Sequence, residues 1–177
     1  LLHCDGMSNT TEECDLNGHA FHPHVCEISV TCPGSVRSLS QLQGMVFCSS
    51  DVIIEVPYQR WERNSQTTNA ECYGGFVSGT TLFDNSLFDI GAAETSVMDP
   101  QQRIITEQAF TILTNPNLER AHIDHETGIF VGATFLVFDD VLNTMPSIVY
   151  AATASSLSVL SGRVSFLFGL TGPCVTV

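Results

Sequence analysis

The sequence predicts an α/β fold, and three stretches carry that expectation. Val25 to Cys32 alternates, with Cys26, Ile28, Val30 and Cys32 on one side and Glu27, Ser29 and Thr31 on the other, the period of a strand with one wet face. Met98-Asp99-Pro100-Gln101-Gln102-Arg103 sets an Asp at a helix N-cap, Pro at the first helical position and Gln102 at the capping-box position. Gly128 to Gly132 (G-I-F-V-G) is a short apolar run between glycines, the pattern of a central strand buried on both faces. Strands and helices alternating along one chain pack as helix layers on a sheet.

Composition limits what such a fold can do. The chain has 177 residues, 44% of them hydrophobic and 14% charged, which indicates a packed core rather than disorder. Net charge is −13, and the six basic residues are all arginines: Arg37, Arg60, Arg63, Arg103, Arg120 and Arg163. The absence of lysine removes Schiff-base and phosphate-loop chemistry from this stretch, and the acidic balance argues against nucleic acid or an anionic membrane as partner. Seven cysteines, an odd count without a C-x-x-C pair, read as reduced thiols. With no secretory signal at the N-terminus, an intracellular, cytoplasmic setting is expected. The uncharged window 141–162 contains Asn143, Thr144, Pro146 and several serines, too polar for a membrane span.

In chain order, residues 1–24 are acidic and rich in turn formers, an expected mobile arm. Cys4, Cys14, His19, His22, His24 and Cys26 lie close together, but no pair has zinc-module spacing, so no metal site is expected. Pro33-Gly34 ends the first strand, and Leu39, Leu42, Met45 and Val46 are spaced for a short helix. Val52 to Ile54 lead into an extended V-P-Y-Q-R-W at 56–61, where Trp61 anchors a loop, and 62–73 read as surface loop. Phe83, Phe88 and Ile90 pin the next segment to the core.

In the capped helix that follows, Ile105, Ala109 and Ile112, with Leu113 beside them, form the expected buried stripe, and Asn115-Pro116 ends it. Asp99 and Glu107 read as a cap and a helix-face residue rather than a catalytic pair. His122 and His125, beside Asp124 and Glu126, read as an exposed turn rather than a metal or acid–base site. Residues 149–161 suggest a small-residue helix. Val164, Phe166 and Phe168 alternate with Ser165 and Leu167 as a half-buried strand, Gly169 to Pro173 form a turn, and Cys174 to Val177 begin a second strand. Because the chain stops inside that strand, the sequence reads as part of a domain, one not expected to fold stably alone.

These strings together resemble a known family. V-P-Y-Q-R-W (56–61), G-G-F (74–76), F-D-N-S-L-F-D-I (83–90), M-D-P-Q-Q-R (98–103), T-G-I-F-V-G (127–132) and S-G-R-V-S-F-L-F-G-L-T-G-P-C-V-T-V (161–177) are similar, in order, to the N-terminal part of the beta-ketoacyl synthase (ketosynthase) domain of type I polyketide synthases. The resemblance covers 25–177. It implies a thiolase-like α-β-α-β-α layered fold, of which this chain holds an incomplete N-terminal half, working as a homodimer. It further implies decarboxylative Claisen condensation in polyketide or fatty-acid synthesis, with substrates carried on the phosphopantetheine arm of an acyl carrier protein and no cofactor bound directly.

In the family the nucleophilic Cys follows the V-T-V strand at a helix N-terminus, so it is expected as the fourth residue beyond Val177. The catalytic histidine pair belongs to the C-terminal half, so no catalytic residue is expected within this chain. Cys174 occupies a different position, after Gly-Pro, and reads as a small buried side chain. The resemblance assigns Tyr150, Thr153, Ala154 and Ser158 to the acyl pocket and dimer contact. Asp99, Pro100, Arg103, Gly162, Arg163, Gly172 and Pro173 are assigned to the framework. Thr153-Ala154 stands where the family has Thr-Gly, and Ile90-Gly91-Ala92 where it has I-S-P. The alternative is a non-catalytic thiolase-fold subunit or dimer partner lacking the nucleophile.

Overall fold

A computed structural model of the chain describes residues 2–5, 24–58, 60, 72–115, 125–133, 150–154 and 156–177. Trp61, His122 and the candidate ligands Cys14, His19 and His22 lie outside the described residues. The chain divides into two compact units, one formed by 1–27 with 80–177 and one by 28–79.

The first unit begins with β1 (Leu2–Asp5), inside the segment expected to be an acidic arm, paired with β2 (His24–Ile28). Glu27 of β2, read from sequence as a wet-face residue, accepts a 2.6 Å hydrogen bond from Asn115 Nδ2. That contact fixes the chain just beyond the long capped helix.

The second unit holds α1 (Leu39–Phe47), capped by Ser38 Oγ, which accepts from the Gln41 N–H at 3.3 Å. Its strands β3 (Ile54–Glu55) and β4 (Tyr73–Gly74) pair antiparallel, Ile54 opposite Gly74, and the Val56 N–H extends the ladder to Cys72 O at 2.9 Å. Val36, Val56 and Cys72 are buried there. Arg60 donates to Val77 O at 2.6 Å, and its guanidinium lies 5.9 Å from the Phe76 ring centroid.

Back in the first unit, α2 (Ala92–Val97) precedes α3 (Pro100–Leu113). Ala109 and Ile112 of the expected stripe are buried in α3, but it is Gln102 and Thr106 that share their face, while Ile105 and Leu113 are half-buried. Two of the four buried positions are polar, so hydropathy spacing alone finds only Ala109 and Ile112. Thr106 satisfies its hydroxyl within the helix, donating to Gln102 O at 2.8 Å.

The core gathers Phe88, Ile90 and Met98, with Phe83, Phe110, Leu167 and Phe168 packed against them. Phe83 and Phe88 stack at 5.0 Å between centroids, Phe88 meets Phe110 edge-on at 5.6 Å, and Phe110 lies 6.5 Å from Phe168. The loop 83–90 is thus pinned by aromatics, as expected. Its backbone is turned by Asp84 Oδ1, which accepts the N–H groups of Ser86 and Leu87.

The strand β5 (Ile129–Val131) comes next, then the short helix α4 (Ala151–Ala154), α5 (Leu157–Leu167) and β6 (Cys174–Thr176). One expectation is overturned here: Val164, Phe166 and Phe168 do not form a strand. Val164 and Phe166 lie in α5 and Phe168 is its C-cap. Leu160, Ser161, Arg163 and Val164 are buried, the i, i+1, i+3, i+4 face of a helix, while Phe166 is 85% exposed. Three alternating apolar residues fit either period, and the single small-residue helix expected over 149–161 is instead two, broken at the extended Ser156, the second of which runs on through Val164 and Phe166.

β5 and β6 pair in parallel, Ile129 opposite Cys174, Phe130 opposite Val175 and Val131 opposite Thr176. Only Val131 of β5 is buried, and Phe130 is 68% exposed, so β5 has one covered face rather than two. Cys174 is exposed as well, contrary to its reading as a buried small residue, because it opens the strand at the rim of the pair.

Candidate functional site

Two hydrogen-bonded assemblies in the first unit involve the expected framework residues. The first fixes β6. Its entry turn is locked to the residues before β5: Thr171 donates to His125 O from both its N–H (2.5 Å) and its hydroxyl (2.9 Å), and His125 Nδ1 donates to Gly169 O at 3.2 Å. His125 is therefore a turn residue, and His122 lies outside the described residues.

Gly172 packs so tightly here that a Cβ would sit 2.5 Å from the carbonyl carbon of Thr127. Pro173 follows, its carbonyl accepting the Ile129 N–H at 2.7 Å, which starts the parallel ladder. The ladder runs on to Val177, whose N–H reaches Val131 O at 2.9 Å and whose carbonyl accepts from Ala133 N at 2.8 Å. Val177 is thus held on both its backbone groups.

From the helix side, Ser161 Oγ lies 2.8 Å from Thr176 Oγ1, tying the middle of α5 to the last residue of β6. Neither residue was singled out from sequence. Ser161→Ala and Thr176→Val are each expected to lower stability by about 1 kcal/mol. A double-mutant cycle by chemical denaturation checks this, because the second substitution adds little once the first has removed the pair.

The second assembly is buried and polar. Arg163, 9% exposed in the middle of α5, donates from Nη1 to Glu94 Oε1 of α2 at 2.7 Å and from Nε to Gln102 Oε1 of α3 at 3.2 Å. Gln102 in turn donates from Nε2 to Thr153 O (2.9 Å) and Ala154 O (3.1 Å), the end of α4. The capping-box role expected of Gln102 is therefore not the one it takes; its amide points away from the cap. Glu94 is the member that sequence reasoning missed, and Gln102 the one to which it gave the wrong partner.

At the start of α3, Asp99 accepts the Gln101 N–H at 2.7 Å, Pro100 occupies the first turn, and Arg103 returns to Met98 O from Nε (3.1 Å) and Nη2 (2.7 Å). Burial pushes the Asp99 carboxyl above its ordinary 3.8, partly offset by the Gln101 N–H and the Arg103 charge. A carboxyl that holds its proton more tightly folded than unfolded contributes most stability below 3.8 and loses it as pH rises through the raised folded value. Asp99→Asn keeps an acceptor without the charge, so its stability relative to the parent is expected to rise with pH across that window. Asp99→Ala, lacking any acceptor, is expected to cost about 1 kcal/mol. Thermal melts at several pH values read both effects.

The expected pocket residues divide between two places. Tyr150 O accepts from Thr153 Oγ1 at 3.0 Å and from Ala154 N at 2.9 Å, so Tyr150, Thr153 and Ala154 share one turn, with Ala154 buried and Thr153 exposed. Ser158 is exposed on the first turn of α5, 2.8 Å from Ser156 Oγ. Gly162 lies within α5, where a Cβ would meet nothing within 4 Å. Among the described residues no cluster of three or more His, Cys, Asp or Glu side chains is arranged to hold a metal, and no helix is long and apolar enough to cross a membrane.

Residues 25–177 match the family model for the beta-ketoacyl synthase N-terminal domain. The sequence is 31% identical over 156 residues to erythronolide synthase EryA3 of Saccharopolyspora erythraea, covering 82% of this chain and 5% of that protein. It is 32% identical over 170 residues to polyketide synthase GfsE of Streptomyces halstedii, covering 88% of this chain and 4% of that one. Among solved structures it is similar to the oxazolomycin ketosynthase domain OzmH KS7 of Streptomyces albus JA3453, with a TM-score of 0.67 at 24% identity over 83% of this chain and 27% of that one. The ketosynthase from module 6 of the bacillaene synthase of Bacillus subtilis 168 superimposes with a TM-score of 0.68 at 18% identity, covering 83% of this chain and 24% of its own.

Proposed function

Since this chain belongs to the beta-ketoacyl synthase family, we propose that it is the nucleophile-aiming part of a ketosynthase that performs decarboxylative Claisen condensation. Its fold is the N-terminal part of the thiolase-like ketosynthase architecture. The observation that carries the reading is β6, held at its entry turn, along its ladder and from Ser161, so that the backbone leaves Val177 in a fixed direction.

The reaction proceeds in two halves. A cysteine thiolate, the fourth residue beyond Val177, attacks the thioester of an acyl group on the phosphopantetheine arm of an acyl carrier protein; the carrier thiol leaves and the acyl group stays on the cysteine. Malonyl on a carrier then loses carbon dioxide, its α-carbon takes the electron pair and forms a bond to the acyl carbonyl, and the cysteine leaves as thiolate. Donors preset around the oxyanion supply the stabilisation such a step needs. A histidine pair from the C-terminal half completes the site.

Tyr150, Thr153, Ala154 and Ser158 contribute to the acyl pocket and dimer contact, the protein works as an intracellular homodimer, and no cofactor binds directly. Supporting this are the family match and the juxtaposition of Tyr150, Thr153 and Ala154 in one turn tied to α3. The test is condensation by the full domain with malonyl-carrier protein and an acyl thioester. Release of carbon dioxide with formation of a β-ketoacyl product is expected. Tight carrier binding without product, or a residue other than Cys at the fourth position beyond Val177, would instead establish the non-catalytic partner.

A further inference from the structure

We propose that Gln102 is a positioning residue that sets the end of α4 and thereby the acyl-chain selectivity of the pocket; this rests on the assignment of Thr153 and Ala154 to that pocket. α4 is a single turn of four residues, too short to hold itself, and the last carbonyls of any helix lack intrahelical partners. The carboxamide of Gln102 supplies both missing donors, to Thr153 O at 2.9 Å and Ala154 O at 3.1 Å, across about fifty positions of sequence.

Gln102 is 1% exposed, so water cannot substitute for either bond. Its orientation is forced. Arg163 Nε donates to Oε1 at 3.2 Å, and rotating the amide would set its NH2 against the guanidinium and its oxygen against two carbonyls. Arg163 is itself fixed by Glu94 of α2 at 2.7 Å. Glu94, Arg163 and Gln102 thus form a chain of hydrogen bonds ending on the backbone of the pocket turn. The capped start of α3 fixes the far end of the lever: Asp99 and Arg103 hold the turn from which Gln102 projects. A small movement of Gln102 therefore moves Thr153 and Ala154 relative to α3.

The test is made in the full ketosynthase domain with Gln102→Glu and Gln102→Leu. The carboxylate of Gln102→Glu keeps an acceptor for Arg163 but repels the two carbonyls, so it removes the α4 bonds selectively. Both variants are expected to change the ratio of kcat/KM for acetyl and hexanoyl N-acetylcysteamine thioesters by about fivefold or more. Alkylation of the nucleophilic cysteine by iodoacetamide is expected to keep its parental rate. Amide hydrogen exchange in 150–154 is expected to speed up while that of 104–112 does not. An unchanged selectivity ratio in Gln102→Glu overturns the proposal, even if Gln102→Leu fails to fold. If the parent domain condenses nothing, it is the catalytic reading that fails. Exchange in 150–154 then decides separately, and unchanged protection in Gln102→Glu overturns the restraint.

Discussion

Arg163→Met in the ketosynthase domain is expected to lower stability by about 3 kcal/mol, the low end of what breaking a buried ion pair costs, because Glu94 is 26% exposed and keeps some hydration. The loss has two parts. Glu94 loses its cation, and Gln102 Oε1 is left buried without a donor, which by itself costs about 1–3 kcal/mol. Arg163→Lys is expected to recover little, since one ammonium lacks the fork that reaches Glu94 and Gln102 together. Adding Glu94→Leu to Arg163→Met is expected to return part of the stability, as apolar replacement of both charges often does. Chemical denaturation of the parent, Arg163→Met, Arg163→Lys, Glu94→Leu alone and the double variant measures this. Additive losses would show that Arg163 and Glu94 do not act as a pair.

Gly172→Ala is the second large effect, expected to cost about 2–3 kcal/mol. The added carbon meets backbone, at Glu126 and Thr127, rather than the end of a flexible side chain. Either the turn or the start of β5 must move. Since that turn sets the entry of β6, acyl loading of the cysteine proposed beyond Val177 is expected to fall as well, by about a hundredfold for a displacement near 1 Å. Gly162→Ala is the matched control. Its Cβ meets nothing, and alanine inside a helix stabilises by about 0.5–1 kcal/mol relative to glycine. Equal effects at the two glycines would show that the close approach at Gly172 has no energetic consequence.

Local signals in the sequence were legible where one residue type has one physical use. Asp99 and Pro100 declared the start of α3, the aromatics at 83 and 88 declared the pinned loop, and Leu39 to Val46 gave α1. Legibility failed where tertiary contact decides. Residues 164–168 satisfy a strand period and a helix period at once, and only the burial of Leu160, Ser161, Arg163 and Val164 on one face selects the helix. Gln102 looked like a capping partner because its spacing from Asp99 is right; its true partners, Thr153, Ala154 and Arg163, lie far along the chain. Exposure at Phe130 and Cys174 depends on which elements cover β5 and β6, something short apolar runs do not encode.

We propose above all that this chain aims a nucleophile lying just past β6. Incubating the full ketosynthase domain with an acyl thioester and mapping tryptic peptides tests it most directly, because no Lys or Arg lies between Val164 and Val177, so the peptide that begins at Val164 carries Cys174 and is cut only past Val177. The acyl mass is predicted on a cysteine four residues beyond Val177, with Cys174 unmodified. An acyl group on Cys174, or none anywhere in that peptide, would contradict it.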